Sequence, residues 1–194
     1  MLAFQVRNGY VSPVDDELYR ATVGVLAHVG WEGLTLERVA ERAGRSRVTL
    51  WRNGVTREWL VDGLLRRLAE DYRDAMLPVL TAGGAPRERL ERTMRALCDV
   101  VDAHADLLLI SDDMFHRAYE AGDVPLGFLD PFVRVIGDAR AAGVLRHDAA
   151  DADLADVLFN GVAWTYLHLR ARHRWAPARA RRLLFATLLD GTLA

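Results

Sequence analysis

Two short helical patterns on either side of a glycine are the feature that most limits how this chain can fold. The first covers residues 36–43, follows a possible cap at Thr35, and ends at Gly44. The second covers residues 46–53 and begins at Ser46, a residue type that caps helices well. Two such helices joined by a tight turn and braced by a preceding helix form a helix-turn-helix. The pattern predicts a second helix that lies in the major groove of DNA.

Positive charge is concentrated on the same segment. The chain has 25 basic residues, all arginine, and 27 acidic residues, for a net charge of −2. Residues 38–57 contain six arginines and a single acidic residue, Glu41, so this segment carries +5 and the remainder about −7. A basic element on a neutral-to-acidic body is the charge distribution expected of a DNA-binding protein.

The second short helix carries side chains suited to reading DNA. Arg47 and Arg52 can reach base edges or phosphates, and arginine to guanine is the commonest specific contact. Thr49 can meet a thymine methyl group or a phosphate, and the indole N–H of Trp51 can reach the backbone.

The rest of the chain is also helical in pattern, because the alternation typical of strands never persists. We predict an all-α fold of about nine helices. The first begins at Ser12 and Pro13 and ends at Gly30, and the long fourth helix begins at Thr56 and kinks or ends at Pro78. Later helices are predicted over residues 87–103, 105–120, 126–142, 152–174 and 177–191, with residues 1–11 as a flexible arm.

From the first helix to the start of the fourth, the sequence resembles the TetR family of transcriptional regulators. The matching positions respect the family's spacing and are Leu18, Gly30, Thr35, Val39, Ala40, Ala43, Gly44, Ser46, Thr49, Leu50, Trp51, Arg57, Glu58 and Leu60. Residues 141–146 also resemble the family's passage into its eighth helix. The resemblance implies a DNA-binding domain over residues 1–57 and a ligand-binding and dimerisation domain over 58–194. It further implies an Ω-shaped homodimer in which Trp51 and Arg57 contact phosphate groups of the DNA.

Two positions depart from the family pattern. Gly54 stands where an aromatic residue is usual. We expect the lost burial to lower the free energy of unfolding of the DNA-binding domain (the head) by roughly 2–3 kcal/mol, unless Trp59 fills the gap. Arg45 replaces a valine and adds a charge that can contact phosphate. The predicted DNA-binding residues are Thr35, Arg45, Ser46, Arg47, Thr49, Trp51, Arg52 and Arg57.

The C-terminal helices carry a polar stripe and apolar faces. Asn160, Trp164 and His168 recur every four residues, which fits either a small-molecule pocket or packing between subunits. The apolar last helix favours a homodimer. The predicted ligand-binding residues are Met94, Phe115, Tyr119, Asn160, Trp164 and His168, and the predicted interface residues are Phe159, Val162, Tyr166, Leu184 and Leu188.

Other classes of protein are disfavoured. Cys98 is the only cysteine, so no disulfide framework forms, and we find neither a secretory signal nor an apolar run long enough to span a membrane. Asp112, Asp113 and His116 could bind a metal or act in acid–base chemistry, but the pattern favours a solvated or salt-bridged helix face, because no partner cluster with ligand spacing occurs elsewhere. We therefore predict a cytoplasmic protein with no catalytic residues, no metal and no cofactor.

The interpretation is a repressor that binds double-stranded DNA at a palindromic operator and is released by an unknown small-molecule effector. The alternative is a helical ligand-binding or partner-binding protein whose DNA-binding head is impaired by Gly54 and Arg45.

Overall fold

The computed structural model describes residues 14–110, 127–146 and 148–193, and its regular elements are helices. They are α1 (Asp16–Val29), α2 (Leu36–Arg42), α3 (Arg47–Arg52), α4 (Arg57–Thr81), α5 (Pro86–Ala103), α6 (described over 105–110), α7 (Asp130–Ala141), α8 (Asp151–Ala171) and α9 (Pro177–Thr192). Within these ranges the pairing of extended backbone is limited to one bridge between Leu145 and Leu193. The all-α prediction is confirmed, while the predicted arm over 1–11 lies outside the described residues.

The described residues form two compact units. The first consists of residues 14–69 and 106–110, and the second of residues 70–105, 127–146 and 148–193. The division by compactness falls inside α4, so this single helix contributes residues to both units. The predicted functional boundary after residue 57 is a separate matter and stays a prediction.

The first unit packs α1, α2, α3 and the start of α4 around one apolar core. Val39 and Leu60 are fully buried there, and Leu26, Leu34 and Leu50 are 3% exposed or less. The first helix does not begin at Ser12 as predicted. Its N-cap is Asp15, whose side chain accepts a hydrogen bond from the backbone N–H of Leu18 at 2.9 Å.

The second unit packs α5, α7, α8 and α9 against one another. Its interior is made of apolar side chains that face inward at helical spacing, among them Met94, Phe132, Ile136 and Leu158. The fourth helix continues to Thr81, three residues beyond Pro78, so it does not end at the proline. Among the described helices, none combines the length and the apolar character needed to cross a membrane.

Candidate nucleic-acid interface

The turn between α2 and α3 depends on a glycine in the left-handed region. Gly44 has a φ of +63°, a conformation that residues with a Cβ rarely adopt. Its N–H donates to the carbonyl of Glu41, and the N–H of Arg45 donates to the carbonyl of Ala40 at 2.9 Å. The space around Gly44 is open, so the backbone conformation rather than crowding requires glycine.

Two of the predicted DNA-binding residues hold the ends of the short helices. The side-chain oxygen of Thr35 accepts a hydrogen bond from the N–H of Arg38, and that of Ser46 accepts one from the N–H of Thr49, both at 3.4 Å. These hydroxyls satisfy backbone donors that the first turn of a helix leaves unpaired. Thr35 and Ser46 therefore have a structural task that does not depend on DNA.

Helix α3 is anchored by one residue and exposed elsewhere. Leu50 is its buried residue, at 3% exposure. The other five side chains of this helix are exposed: Arg47, Val48, Thr49, Trp51 and Arg52. Trp51 is 67% exposed and Val48 is 55% exposed, so this short helix presents two apolar side chains to solvent beside its arginines. Val48 was not among the predicted residues, although its position two residues before Leu50 places it on the opposite side of a helix.

Arg57 is bound to the loop between α1 and α2. Its Nη2 donates to the carbonyl of Trp31 at 2.8 Å, and its Nε donates to the carbonyl of Leu34 at 3.2 Å. Arg38 is bound to the same loop through the carbonyl of Gly33. These guanidinium groups satisfy carbonyls of the loop, and the two bonds of Arg57 use only part of the five N–H donors of its guanidinium.

Arg45 is held by acidic residues at the start of α1. Its guanidinium lies 2.7 Å from Oδ2 of Asp15 and 2.7 Å from Oε2 of Glu17. Burial by itself would raise the pKa of Asp15, but the backbone N–H of Leu18 and the Arg45 guanidinium together lower it. The predicted phosphate contact of Arg45 would have to displace both carboxylates.

Arg47 and Arg52 differ in their partners. Arg47 lies 2.8 Å from Oε1 of Glu37, with both side chains more than half exposed. Within the described ranges, Arg52 makes no ion pair. Of the arginines predicted to bind DNA, Arg52 is the one for which the described residues provide neither an ion pair nor a hydrogen-bond partner.

The structure removes the expected weakness at Gly54. This residue ends α3 with a φ of +79°, and a side chain added there would point into open space rather than into the core. The next residue, Val55, is 5% exposed and closes the head core, and Trp59 packs against the same core. The expected hole is therefore absent, because Gly54 faces open space and the buried side chain of Val55 closes the core next to it.

The predicted polar stripe on α8 is half-buried at Asn160 and Trp164 and exposed at His168. The amide of Asn160 donates to Oδ1 of Asp156 at 2.6 Å, and the indole N–H of Trp164 donates to Oδ1 of Asn160 at 3.0 Å. His168 is exposed and its ring contacts that of His173. Asn160 and Trp164 thus bond to each other, whereas Met94 is fully buried, and the assignment of these residues to a ligand-binding site stays a prediction.

Several predicted residues cannot be placed. Phe115 and Tyr119, predicted to bind ligand, lie outside the described residues, as do Asp112, Asp113 and His116. Across the ranges that are described, no three metal-ligating side chains are grouped as a metal site would require.

Three of the predicted interface residues belong to the interior of the second unit. Val162 and Tyr166 are fully buried within the subunit, and Phe159 packs edge-on against the rings of Tyr72 and Phe132. Val162 and Tyr166 therefore have no exposed surface left for a partner to cover, whereas Phe159 is half-buried and its assignment to a subunit interface stays a prediction. Leu184 and Leu188 are half-buried and remain candidates, together with Val157 and Leu183, which the sequence did not single out.

Comparison with known proteins identifies the fold but no close relative. No family model matches the chain, and no curated protein matches it either. A ketosteroid transcriptional regulator of Mycobacterium tuberculosis is 19% identical, with 92% of this chain and 94% of that chain covered and a TM-score of 0.74. A fatty acid degradation regulator from Bacillus halodurans is 14% identical, with 91% and 94% covered and a TM-score of 0.75.

A third similar structure carries the family name. It is a TetR-like transcriptional regulator from Rhodococcus sp. RHA1, 16% identical, with 90% of this chain and 93% of that chain covered and a TM-score of 0.68. These likenesses extend over nearly the whole chain, and they agree with the helix-turn-helix described above. The chain has the fold of the TetR-like transcriptional regulators.

Proposed function

We propose that this protein is a transcriptional regulator that binds double-stranded DNA through the outer face of α3. The observation that carries the proposal is the exposure of that face. Five of the six α3 side chains point to solvent while Leu50 alone anchors the helix in the core. A short helix that gives up most of its own burial suits a role in the major groove, and the shared fold supports the same role.

The proposed contacts fall into two groups. Arg52 reads a guanine or holds a phosphate, Thr49 and Trp51 contact the adjacent backbone or bases, and Arg47 joins them after releasing Glu37. Thr35, Arg45, Ser46 and Arg57 support the element from within, since each already bonds to groups of the same unit: Arg38, Asp15 and Glu17, Thr49, and Trp31 and Leu34.

A homodimer on a palindromic operator is part of the proposal. A Cβ placed on Gly161 of α8 would lie 3.7 Å from Leu188 of α9, so these residues mark a seam between the two helices. Val157, one turn from Gly161, is 64% exposed, and Leu183 on α9 is 44% exposed. A second copy of the chain would cover this apolar surface. It would also present two reading helices about 34–36 Å apart, one for each half-site.

The proposed effector is a small, mainly apolar molecule bound by the second unit. Its interior contains an aromatic cluster, in which Tyr72 contacts Phe128 and Phe159 at ring-centroid distances of 5.0 and 6.2 Å. The similar structures include regulators named for ketosteroids and for fatty acid degradation, which supports an apolar effector. Because α4 contributes to both units, a ligand that moves it would favour a state with lower operator affinity, as expected of a repressor.

The alternative is a ligand-binding or partner-binding protein with an impaired head. It loses support because both suspected defects are accommodated, Gly54 by the burial of Val55 and Arg45 by its two carboxylate partners. The proposal assigns no catalytic residue, no metal and no cofactor. Since the partner is chromosomal DNA, it places the protein in the cytoplasm.

Selection of duplexes from a randomised pool tests the proposal, because the operator is not needed in advance. We expect the wild-type chain to enrich a palindromic sequence and to lose affinity for it steeply as salt increases. Because each of the two subunits loses one cationic contact, Arg52→Ala should weaken binding and reduce the slope of log affinity against log salt by about two. Arg182→Ala, a change of an exposed arginine on α9, is the matched control and should leave both unchanged. A chain that enriches no sequence would support the alternative instead.

A further inference from the structure

Val48 occupies the centre of the outward face of α3. Val48 and Arg52 lie two residues before and two residues after Leu50, and each is therefore about 160° around the helix from that buried anchor. Arg47 and Trp51 lie on one flank of this centre, and Thr49 lies on the other. An element that enters the major groove with Leu50 against its own core brings Val48 and Arg52 nearest to the base edges.

Most arginines near this face already have hydrogen-bond or ion-pair partners. Arg38 and Arg57 donate to loop carbonyls, Arg45 is held by two carboxylates, and Arg47 is paired with Glu37. On the described part of the first unit, Arg52 is the arginine of this basic segment that stands on the outward face without an ion pair. The exposed apolar side chains of Val48 and Trp51 take up much of the remaining surface.

The base that fits an isopropyl group can be identified from major-groove chemistry. Of the four bases only thymine presents a methyl group there, beside its O4 acceptor, whereas guanine, adenine and cytosine present hydrogen-bond donors or acceptors and no methyl group. Valine has no group that can bond to them, so its approach would strip water from a polar base edge without replacing the lost hydrogen bond. Against a thymine methyl group, the same approach removes apolar surface from water.

We propose that Val48 is a specificity-determining residue that packs on the 5-methyl group of a thymine in each half-site. The inference rests on the proposed function and deepens it by naming a base. It depends on Val48 being 55% exposed beside Arg52 on a helix whose inner side is committed to the core. Arg52 then provides the neighbouring polar contact, so the half-site should contain a guanine or a phosphate contact close to that thymine.

Replacing thymine by deoxyuridine tests the contact, because this change removes the methyl group and leaves base pairing intact. The probe is the duplex that the wild-type chain enriches from a randomised pool. Replacing the contacted thymine in one half-site should weaken wild-type binding about three- to fourfold, the value of burying one methyl-sized group. For Val48→Ala the same replacement should change affinity by less than about 1.5-fold, since the partner of the methyl group has gone.

Two controls separate Val48 from its neighbours. Thr49→Ser removes only the methyl group of Thr49 and should keep the sensitivity to deoxyuridine at the Val48 position. Deoxyuridine outside the half-sites should have no effect on any variant. Because Val48 is exposed, Val48→Ala should fold, and an unchanged thermal unfolding curve verifies this.

The outcomes distinguish this inference from the proposed function. Enriched half-sites that contain no thymine, or wild-type binding that is insensitive to deoxyuridine, would overturn the role of Val48 and leave the DNA-binding proposal intact. A deoxyuridine effect that persists in Val48→Ala would assign the methyl contact to another residue and would also overturn it. Failure to enrich any duplex would overturn the proposed function and this inference with it.

Discussion

The helices of the first unit and those of the second begin in different ways. In the first unit, α1, α2, α3 and α4 each begin after a residue whose side chain accepts a hydrogen bond from the first turn: Asp15, Thr35, Ser46 and Thr56. In the second unit, α5, α7, α8 and α9 begin after residues that make no such bond: Ala85, Leu129, Ala150 and Ala176. The start of a helix is thus marked by a side-chain cap in the first unit, whereas the four helices of the second unit begin without one.

Length explains why the two shortest helices depend on their caps, although α1 and α4, with 14 and 25 residues, are capped as well. The helices α2 and α3 have 7 and 6 residues, whereas the four helices of the second unit have between 12 and 21. A short helix has few internal hydrogen bonds, so its unpaired terminal groups are a large part of its free energy and a cap matters more. A long helix is stabilised by the apolar face that it buries against its neighbours.

In the second unit, side-chain hydrogen bonds connect different helices instead of capping helix ends. Asp102 on α5 accepts a hydrogen bond from the hydroxyl of Tyr166 on α8 at 2.6 Å and from Nε of Arg170 at 2.8 Å. It also accepts one from Arg181 on α9 at 3.0 Å. Burial by itself would raise the pKa of Asp102, but these three partners together lower it. One carboxylate thus connects three helices.

The largest effect is expected at the anchor of the reading helix. Leu50→Ala should lower the free energy of unfolding of the head by about 3 kcal/mol, because Leu50 is the buried residue of α3 and its loss leaves a cavity. Hydrogen exchange of the α2 and α3 amides should accelerate, and DNA binding should be lost. Val48→Ala on the same helix is the control, and a destabilisation as large as that of Leu50→Ala would contradict the described orientation of α3.

The next largest effect is expected at Asp102, the carboxylate that connects helices of the second unit. Asp102→Asn should lower the free energy of unfolding by about 2 kcal/mol, because Arg170 and Arg181 lose their shared carboxylate in a partly buried site. Urea unfolding at pH 7 measures it. Asp190→Asn is the matched control, since its partner Arg87 is exposed. Equal effects of the two changes would show that the ion pairs of Asp102 are no stronger than a surface ion pair.

A smaller effect is expected from a cap. Thr35→Ala should cost about 1 kcal/mol, because the N–H of Arg38 loses its partner at the start of a seven-residue helix. Thr187→Ala in α9 is the matched control. The hydroxyl of Thr187 bonds to a carbonyl within its own helix, and its removal should leave the urea midpoint nearly unchanged. If both changes cost the same, caps would not distinguish the two units.

The smallest effect is expected from the ion pairs of Arg45. Arg45→Ala should cost no more than about 1 kcal/mol at pH 7, because the pairs are largely exposed. The lowered pKa of Asp15 means that this contribution is present at neutral pH and is lost as pH falls below about 4. The cost measured by urea unfolding should therefore be smaller at pH 3. If Arg45→Ala also reduced the slope of log DNA affinity against log salt, as expected for Arg52→Ala, Arg45 would be counted among the phosphate contacts.

Much of the fold and part of the candidate site could be predicted from sequence alone. The all-α fold, the helix-turn-helix, the roles of Thr35 and Ser46 as caps and the turn at Gly44 were all predicted, because they depend on residues within four positions of one another. The exposure of Val48 could also have been found, since its spacing from Leu50 is a local property of a helix. The sequence was misleading where two caps were close together, and Asp15 rather than Ser12 begins α1.

Tertiary structure decided which charges are free and which apolar residues face inward. Arg45 meets Asp15 across 30 residues, and Arg181 meets Asp102 across 79, separations that no local pattern reveals. Helical periodicity placed Val162 and Tyr166 on an apolar face, but only packing determined that this face points into the subunit rather than toward a partner. Hydrogen bonds of turns and caps are local along the chain, whereas ion pairs and burial depend on which helices become neighbours.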